Sequence, residues 1–244
     1  MRVGLFVTCL VDLMRPSIGF AALRLLEAGA GEVYVPPNQT CCGQPGYNGG
    51  DRAGAKALAA KVIAEFEACD YLVAPSGSCS GMIKTHYADL FRDDPAELER
   101  AAALAAKTHE LTEFLADVMK LEAVPGELAA TVTYHDSCAG LREMGVKEQP
   151  RALLSRVRGL KLTEMAECEN CCGFGGTFAI KFGEISTRLA DNKCQQIAAS
   201  GADAVVLGDL GCMLNIEGRL RRRGDTKTLV LHVAEVLAGV GGDD

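Results

Sequence analysis

The sequence has no Trp, only 5% aromatic residues and no excess of positive charge. Its 25 Lys and Arg residues are outnumbered by 32 Asp and Glu residues, which gives a formal net charge of −7. This balance argues against a general nucleic-acid binder, because such a protein needs a broad basic field to displace counterions from phosphate. We interpret one basic cluster as a solvated turn, with a dock for an acidic partner as the alternative: Arg219, Arg221, Arg222 and Arg223.

Long apolar runs are also missing. The N-terminal apolar stretch, residues 3–11, is stopped by Asp12 and Arg15, and it is far shorter than the roughly 18 residues of a membrane span. It lacks the small-residue cleavage site of a secretory signal, so we expect a cytoplasmic protein without a transmembrane segment. Neither a Walker loop nor a G-x-G-x-x-G motif opens a helix, and we expect no nucleotide or flavin on this chain.

Cysteine, by contrast, is abundant, with eleven residues. In a reducing compartment a high cysteine count indicates metal or redox chemistry rather than a disulfide framework. Eight of the eleven recur in the same order at offsets of 129 to 133 residues: Cys9, Cys41, Cys42 and Cys79, then Cys138, Cys171, Cys172 and Cys212. This repetition predicts two copies of one unit. The helix-breaking sequence Val124-Pro125-Gly126 separates them, so we expect units at residues 1–124 and 127–244.

Strand and helix patterns alternate in both copies. The first copy reads as strands at residues 3–8, 32–35 and 71–74 and helices at 18–28, 51–68 and about 82–91. The second reads as strands at 131–134, 160–165 and 204–207 and helices at 149–157 and 184–199, and each copy closes on a short helical pattern, at 110–115 and 232–237. The alternation predicts an α/β fold of two tandem, pseudo-twofold-related units, each with a mainly parallel sheet, crossover helices and its own core. The repeated cysteines should lie in loops at the carboxyl edges of the sheets.

Four thiolates at one sheet edge match the ligand count of an iron–sulfur cluster. Zinc also takes four Cys, but its structural sites usually present them as C-x₂₋₄-C pairs. Adjacent cysteines diverge and suit different irons of one cluster, while Gly43 and Gly173 let the backbone bend close and aim N–H groups at sulfur. A zinc site, a redox dithiol and unliganded thiols remain the alternatives.

The sequence resembles the cysteine-rich CCG domain most clearly in three segments: Cys171-Cys-Gly-Phe-Gly-Gly-Thr-Phe, Gly208-Asp-Leu-Gly-Cys-Met-Leu-Asn-Ile and His135-Asp-Ser-Cys138. Because the domain occurs here in two copies, the chain also resembles the lactate utilisation protein A family. The resemblance implies two iron–sulfur clusters, taken as [4Fe–4S]-type, held by the eight repeated cysteines. It implies a component of a complex that oxidises L-lactate to pyruvate, rather than a complete enzyme, with partner subunits of which at least one carries further clusters. A heterodisulfide-reductase-like or glycolate-oxidase-like subunit and a non-redox zinc scaffold are the alternatives.

The fullest CCG pattern ends in Cys-x-x-Cys, but here Ser76 and Asp209 replace the first cysteine of that pair. Either residue could supply an oxygen ligand, and Cys168, three residues before Cys171, is a further candidate ligand or a resolving thiol. His135 and Asp136 are expected beside the second set, where an imidazole could make a structural hydrogen bond or donate to sulfur. Two other cysteines without a repeat partner read as small buried hydrophobes, Cys69 and Cys194.

Overall fold

The computed structural model describes residues 1–240, which form two four-stranded parallel sheets. The strands of the first sheet are β1 (Arg2–Leu5), β2 (Glu32–Tyr34), β3 (Tyr71–Ala74) and β4 (Thr108–Glu110). Those of the second are β5 (Thr131–His135), β6 (Lys161–Leu162), β7 (Ala204–Leu207) and β8 (Leu229–His232). Both sheets have the same order, β2-β1-β3-β4 and β6-β5-β7-β8. The prediction of a duplicated α/β unit with parallel sheets is confirmed.

Helices connect the strands in both halves. The first half contains α1 (Cys9–Met14), α2 (Pro16–Glu27), α3 (Gln44–Gly49), α4 (Arg52–Phe66), α5 (Gly77–Gly81), α6 (Tyr87–Leu90), α7 (Pro95–Ala106) and α8 (Leu111–Glu113), with π-helical turns at Met82–His86 and Phe114–Val118. The second contains α9 (Cys138–Arg142), α10 (Glu148–Leu154), α11 (Thr177–Lys181), α12 (Gly183–Ser200), α13 (Leu210–Arg222) and α14 (Val233–Ala238). Within residues 1–240, none of these helices has the length and apolarity that crossing a membrane requires.

Several element boundaries differ from the sequence predictions. Strand β1 ends at Leu5, three residues early, because Thr8 turns the chain and caps α1. Strand β6 covers two residues instead of six. The predicted closing helices start at Glu110 and His232, which are the last residues of the unpredicted strands β4 and β8 and cap α8 and α14. Helix α7 was not predicted, and its Asp94 cap and first-turn Pro95 are the local signals that mark its start.

The halves pack as a pseudo-twofold pair. Helix α2 of the first half packs against α14 of the second, while the equivalent α10 packs against α8 and the adjacent π-helical turn of the first half. One apolar cluster runs through both halves and includes Leu25, Phe114 and Leu237. The expectation of a separate core for each half is therefore wrong for this cluster, although a second apolar cluster around Phe66 and Tyr87 lies within the first half alone. The buried Glu235 carboxylate accepts from Arg15 Nε at 2.9 Å and Ser17 Oγ at 2.7 Å across the same boundary.

Candidate metal centres

Four of the repeated cysteines lie in the first turns of capped helices, rather than in the loops that the sequence suggested. Cys9 and Cys138 are the first residues of α1 and α9, which are capped by Thr8 and Ser137. Cys79 and Cys212 are the third residues of α5 and α13, each of which begins after a two-residue connection from strand β3 or β7. The caps satisfy backbone N–H groups and so fix the turn that presents each thiol at the carboxyl edge of its sheet.

The remaining four cysteines lie in the two Cys-Cys-Gly turns. Gly43 and Gly173 have φ angles of 89° and 88°, a region that favours glycine. The Gly43 amide donates to Cys41 Sγ at 3.4 Å, and the Gly173 amide donates to Cys171 Sγ at 3.3 Å. A Cβ atom at Gly173 would lie 2.5 Å from the carbonyl oxygen of Ser186. Both glycines therefore play the part predicted from the sequence, bringing backbone N–H groups to sulfur.

The structure joins the four thiols of each set into one continuous group. Side-chain interactions link Cys9 to Cys41, Cys41 to Cys42 and Cys42 to Cys79. The second set repeats the pattern, from Cys138 to Cys171, Cys171 to Cys172 and Cys172 to Cys212. Hydrogen bonds from the neighbouring thiols hold the pKa of Cys41 and of Cys171 far below the usual value. A lowered pKa favours the thiolate, which is the form of cysteine that binds metals.

Ser76 and Asp209, which replace cysteines of the fullest CCG pattern, bond to each other. Ser76 Oγ donates to Asp209 Oδ2 at 3.1 Å, and the Ser78 amide donates to the same oxygen at 3.0 Å. The other carboxylate oxygen of Asp209 accepts from the Gly211 amide at 3.1 Å. These oxygens therefore cap two helices and tie the halves together.

The three unrepeated cysteines lie apart from these links. Cys168 Sγ lies 3.9 Å from an Arg151 nitrogen, and the Arg151 guanidinium binds both carboxylate oxygens of Asp136 at 2.9 Å. Cys69 and Cys194 are buried among apolar side chains. Burial raises the pKa of Cys194 to about 11, which keeps that thiol protonated at neutral pH.

His135 lies at the end of β5 and is fully buried beside the second set. Its ring nitrogen and the sulfurs of Cys172 and Cys212 all lie within 4.8 Å of one another. Burial lowers the pKa of His135 to about 4, so the imidazole is neutral at pH 7. The ammonium group of the buried Lys193 is nearby, and it donates to the carbonyl oxygens of Glu167 and Cys168 at 2.7 and 3.2 Å.

Two polar residues that support the turns were missed by sequence reasoning. Tyr87 Oη donates to the carbonyl oxygen of Cys42 at 2.9 Å, and Asn215 Nδ2 donates to that of Cys172 at 2.8 Å. Asn215 lies three residues after Cys212 in α13, and residues three apart in a helix share a face. The sequence could therefore have predicted that Asn215 faces the same site as Cys212. Tyr87 follows a π-helical turn, which interrupts the α-helical spacing. The sequence pattern therefore could not predict which way Tyr87 faces.

Comparisons with known proteins agree with this geometry. The family model of the CCG cysteine-rich domain matches the chain twice, at residues 3–84 and 132–217. Lactate utilization protein A of Bacillus cytotoxicus is 46% identical over 237 residues, which are 97% of this chain and 98% of the relative. The chain belongs to the lactate utilization protein A family. A second member of the family, lactate utilization protein A 2 of Bacillus cereus, is 43% identical over 238 residues, 98% of each chain.

A solved structure supports the fold. A hypothetical protein from Helicobacter pylori superposes with a TM-score of 0.69 at 14% identity. The match covers 100% of this chain and 49% of that one, so this chain spans about half the length of the solved protein. At this identity the likeness concerns the architecture alone.

The donor set decides which groups could bind. Each half offers four sulfurs, soft ligands that suit iron–sulfur clusters and zinc. The four sulfurs come from three separate places along the chain, and the adjacent pair sits on a turn whose amide already points at sulfur. N–H groups directed at sulfur are one of the means by which proteins set the potential of iron–sulfur clusters. The residues therefore fit a cluster in each half.

Proposed function

We propose that this chain is the iron–sulfur electron-transfer subunit of a system that oxidises L-lactate to pyruvate. The observation that carries the proposal is the linked group of four thiols in each half, at equivalent positions in the two sheets. The lactate part is supported by relatives that are named lactate utilization protein A and align over almost their whole length.

In this proposal residues 1–124 and 127–244 are the two units, and each holds one [4Fe–4S]-type cluster. The first centre is defined by Cys9, Cys41, Cys42 and Cys79, and the second centre by Cys138, Cys171, Cys172 and Cys212. A bound cluster supplies one-electron transfer at a potential that its surroundings set. The chain provides the thiolates, and the amides of Gly43 and Gly173 stabilise negative charge on the adjacent sulfurs.

Partner subunits, at least one with further clusters, would oxidise lactate and exchange electrons with this chain. Support for a protein partner comes from apolar side chains beside the first centre. Leu13 and Phe20, on the helices that follow Cys9, are 77% and 70% exposed. A groove of about 370 Å³ is lined by Leu13 together with Cys9 and Val35. Exposed apolar surface of this kind marks protein interaction sites.

Anaerobic reconstitution of the full chain tests the proposal. We expect about eight iron and eight labile sulfide per chain, as two [4Fe–4S] clusters require. Cys42→Ser should lose about half of both, because hydroxyl is a poor ligand for these clusters. In a complex assembled with its partners, the same variant should abolish lactate-dependent reduction of the acceptor.

Cys194→Ser is the matched control, since this cysteine is buried but has no repeat partner. It should retain both clusters and the activity. Equal losses from the two substitutions would point to general unfolding. Zinc without labile sulfide in the unsubstituted chain would reject the iron–sulfur assignment, and full activity of Cys42→Ser would remove the first centre from the electron path.

A further inference from the structure

The two centres differ at one buried position. Counting from the first cysteine of each set, His135 corresponds to Phe6, because each lies three residues before that cysteine. Phe6 is fully buried and makes an edge-on contact with Phe66, with ring centroids 5.9 Å apart. The first centre therefore has an aromatic hydrocarbon where the second has an imidazole.

The imidazole of His135 is unsatisfied by the protein itself. The residue has 0% of its surface exposed, its ring approaches the backbone of Cys168, and neither ring nitrogen has a partner with good hydrogen-bond geometry among residues 1–240. A buried polar group without a partner costs roughly 1–3 kcal/mol, so such groups are rare in folded proteins. An unpartnered buried group beside a set of thiolates indicates that something other than the polypeptide satisfies it.

The distances favour a shared metal atom as that partner. Donor atoms bound to one metal atom at about 2.0–2.3 Å lie roughly 3–4 Å apart. One His135 nitrogen and the sulfurs of Cys172 and Cys212 are already within 4.8 Å of one another. The His135 nitrogen is therefore within reach of an iron atom that either sulfur would bind, and imidazole is an established ligand of iron in clusters with mixed Cys and His ligation.

We propose that one ring nitrogen of His135 binds the same iron atom as Cys172 or Cys212, so that the second centre has five protein ligands and the first has four. This inference rests on the proposed function, because it assigns the iron to a cluster. A neutral nitrogen ligand adds no negative charge to the centre, and His ligation raises the potential of a cluster. The second centre should therefore have the higher reduction potential, which would direct electrons from the first half toward the second.

Pulsed electron paramagnetic resonance of the reduced, reconstituted full chain tests the nitrogen ligand without any change at His135. Chains labelled with ¹⁴N-histidine or ¹⁵N-histidine are compared. The second centre is observed in Cys42→Ser, and the first centre in Cys172→Ser. We expect the strong hyperfine coupling of a directly bound imidazole nitrogen from the second centre, changing with the isotope, and none from the first. Absence of that coupling, or only the weak coupling of a nitrogen hydrogen-bonded to sulfur, would overturn the proposal.

Substitution provides the second arm. His135→Phe places in the second half the side chain found at this position in the first, and it should abolish the nitrogen coupling and lower the potential of the second centre. His232→Phe is the matched control, because His232 is equally buried at a strand end and also has an unpartnered nitrogen among the described residues. It should keep the coupling. Retention of the coupling in His135→Phe would overturn the assignment. A chain without iron and labile sulfide would instead reject the proposed function, so the two failures are distinguishable.

Discussion

Gly173 shows how closely the second centre depends on a single residue. Its φ is 88°, and the carbonyl oxygen of Ser186 would lie only 2.5 Å from a Cβ atom at this position, which leaves no room for a side chain. Ser186 Oγ also donates to the Gly173 carbonyl at 2.8 Å, which holds the turn against α12. The turn therefore tolerates glycine alone.

Gly173→Ala should destabilise the chain by about 1–3 kcal/mol through backbone strain and remove the second cluster. Urea unfolding and iron assays of reconstituted protein would measure the two effects, with about half the iron lost. Gly145→Ala is the control, because Gly145 also has a positive φ, 70°, but no atom of residues 1–240 lies within 4 Å of its added Cβ. A full iron content in Gly173→Ala would show that the turn can rebuild itself.

For individual residues, the sequence predicted the roles of Gly43 and Gly173 but not the environment of His135. The glycines are marked by their neighbours in the chain, since a Cys-Cys-Gly turn carries its own conformational signal. His135 acquires its meaning from Cys212 and Lys193, which are contributed by helices far along the sequence. Only the fold brings those groups together.

Among the elements, strand β4 ends in a carboxylate that is out of reach of water. Glu110 is 2% exposed, caps α8 and accepts from the Thr112 amide at 2.7 Å. Burial raises the pKa of Glu110 to about 7, partly offset by those hydrogen bonds. Between pH 4.5 and 7 the folded state therefore keeps a proton that the unfolded state has lost, and stability falls as the pH rises through this range.

Glu110→Gln should remove this pH dependence. The variant should match the parent near pH 4 and exceed its stability by roughly 3 kcal/mol at pH 8, from a shift of the pKa from 4.5 to about 7. Urea unfolding at both pH values, under the same metal loading, measures the difference. Glu67→Gln, at an exposed ion pair with Arg100, should show no such gap. The absence of a gap in Glu110→Gln would mean that Glu110 keeps its ordinary pKa and is ionised in the folded chain.

Elements were predicted from sequence where the apolar pattern is long or uninterrupted, as in β3, β7 and α12. The strands β4 and β8 were not predicted, because they are three and four residues long and run directly into helical turns. Their identity comes from pairing with β3 and β7, as in the register of Ala74 with Glu110 and Leu207 with His232. The local pattern of apolar residues does not indicate which strands pair.

For the whole molecule, the shared core means that the halves should not fold independently. Apolar residues of α2, including Ile18 and Leu25, are fully buried although their helix packs against α14 of the other half. Chains of residues 1–124 and 127–244 expressed separately should be poorly folded, because each would expose this surface to water. Mixed together, they should gain helical circular dichroism and elute as one complex. Native-like, monomeric halves would contradict the shared core.

The pseudo-twofold packing of α2 on α14 and of α10 on α8 has a consequence for how the two centres can diverge. A homodimer of one such unit would carry every substitution twice, once on each side of its axis. A single chain that encodes both units is free of that restriction. Phe6 and His135, at equivalent positions of the two halves, are a difference that a symmetric homodimer could not carry.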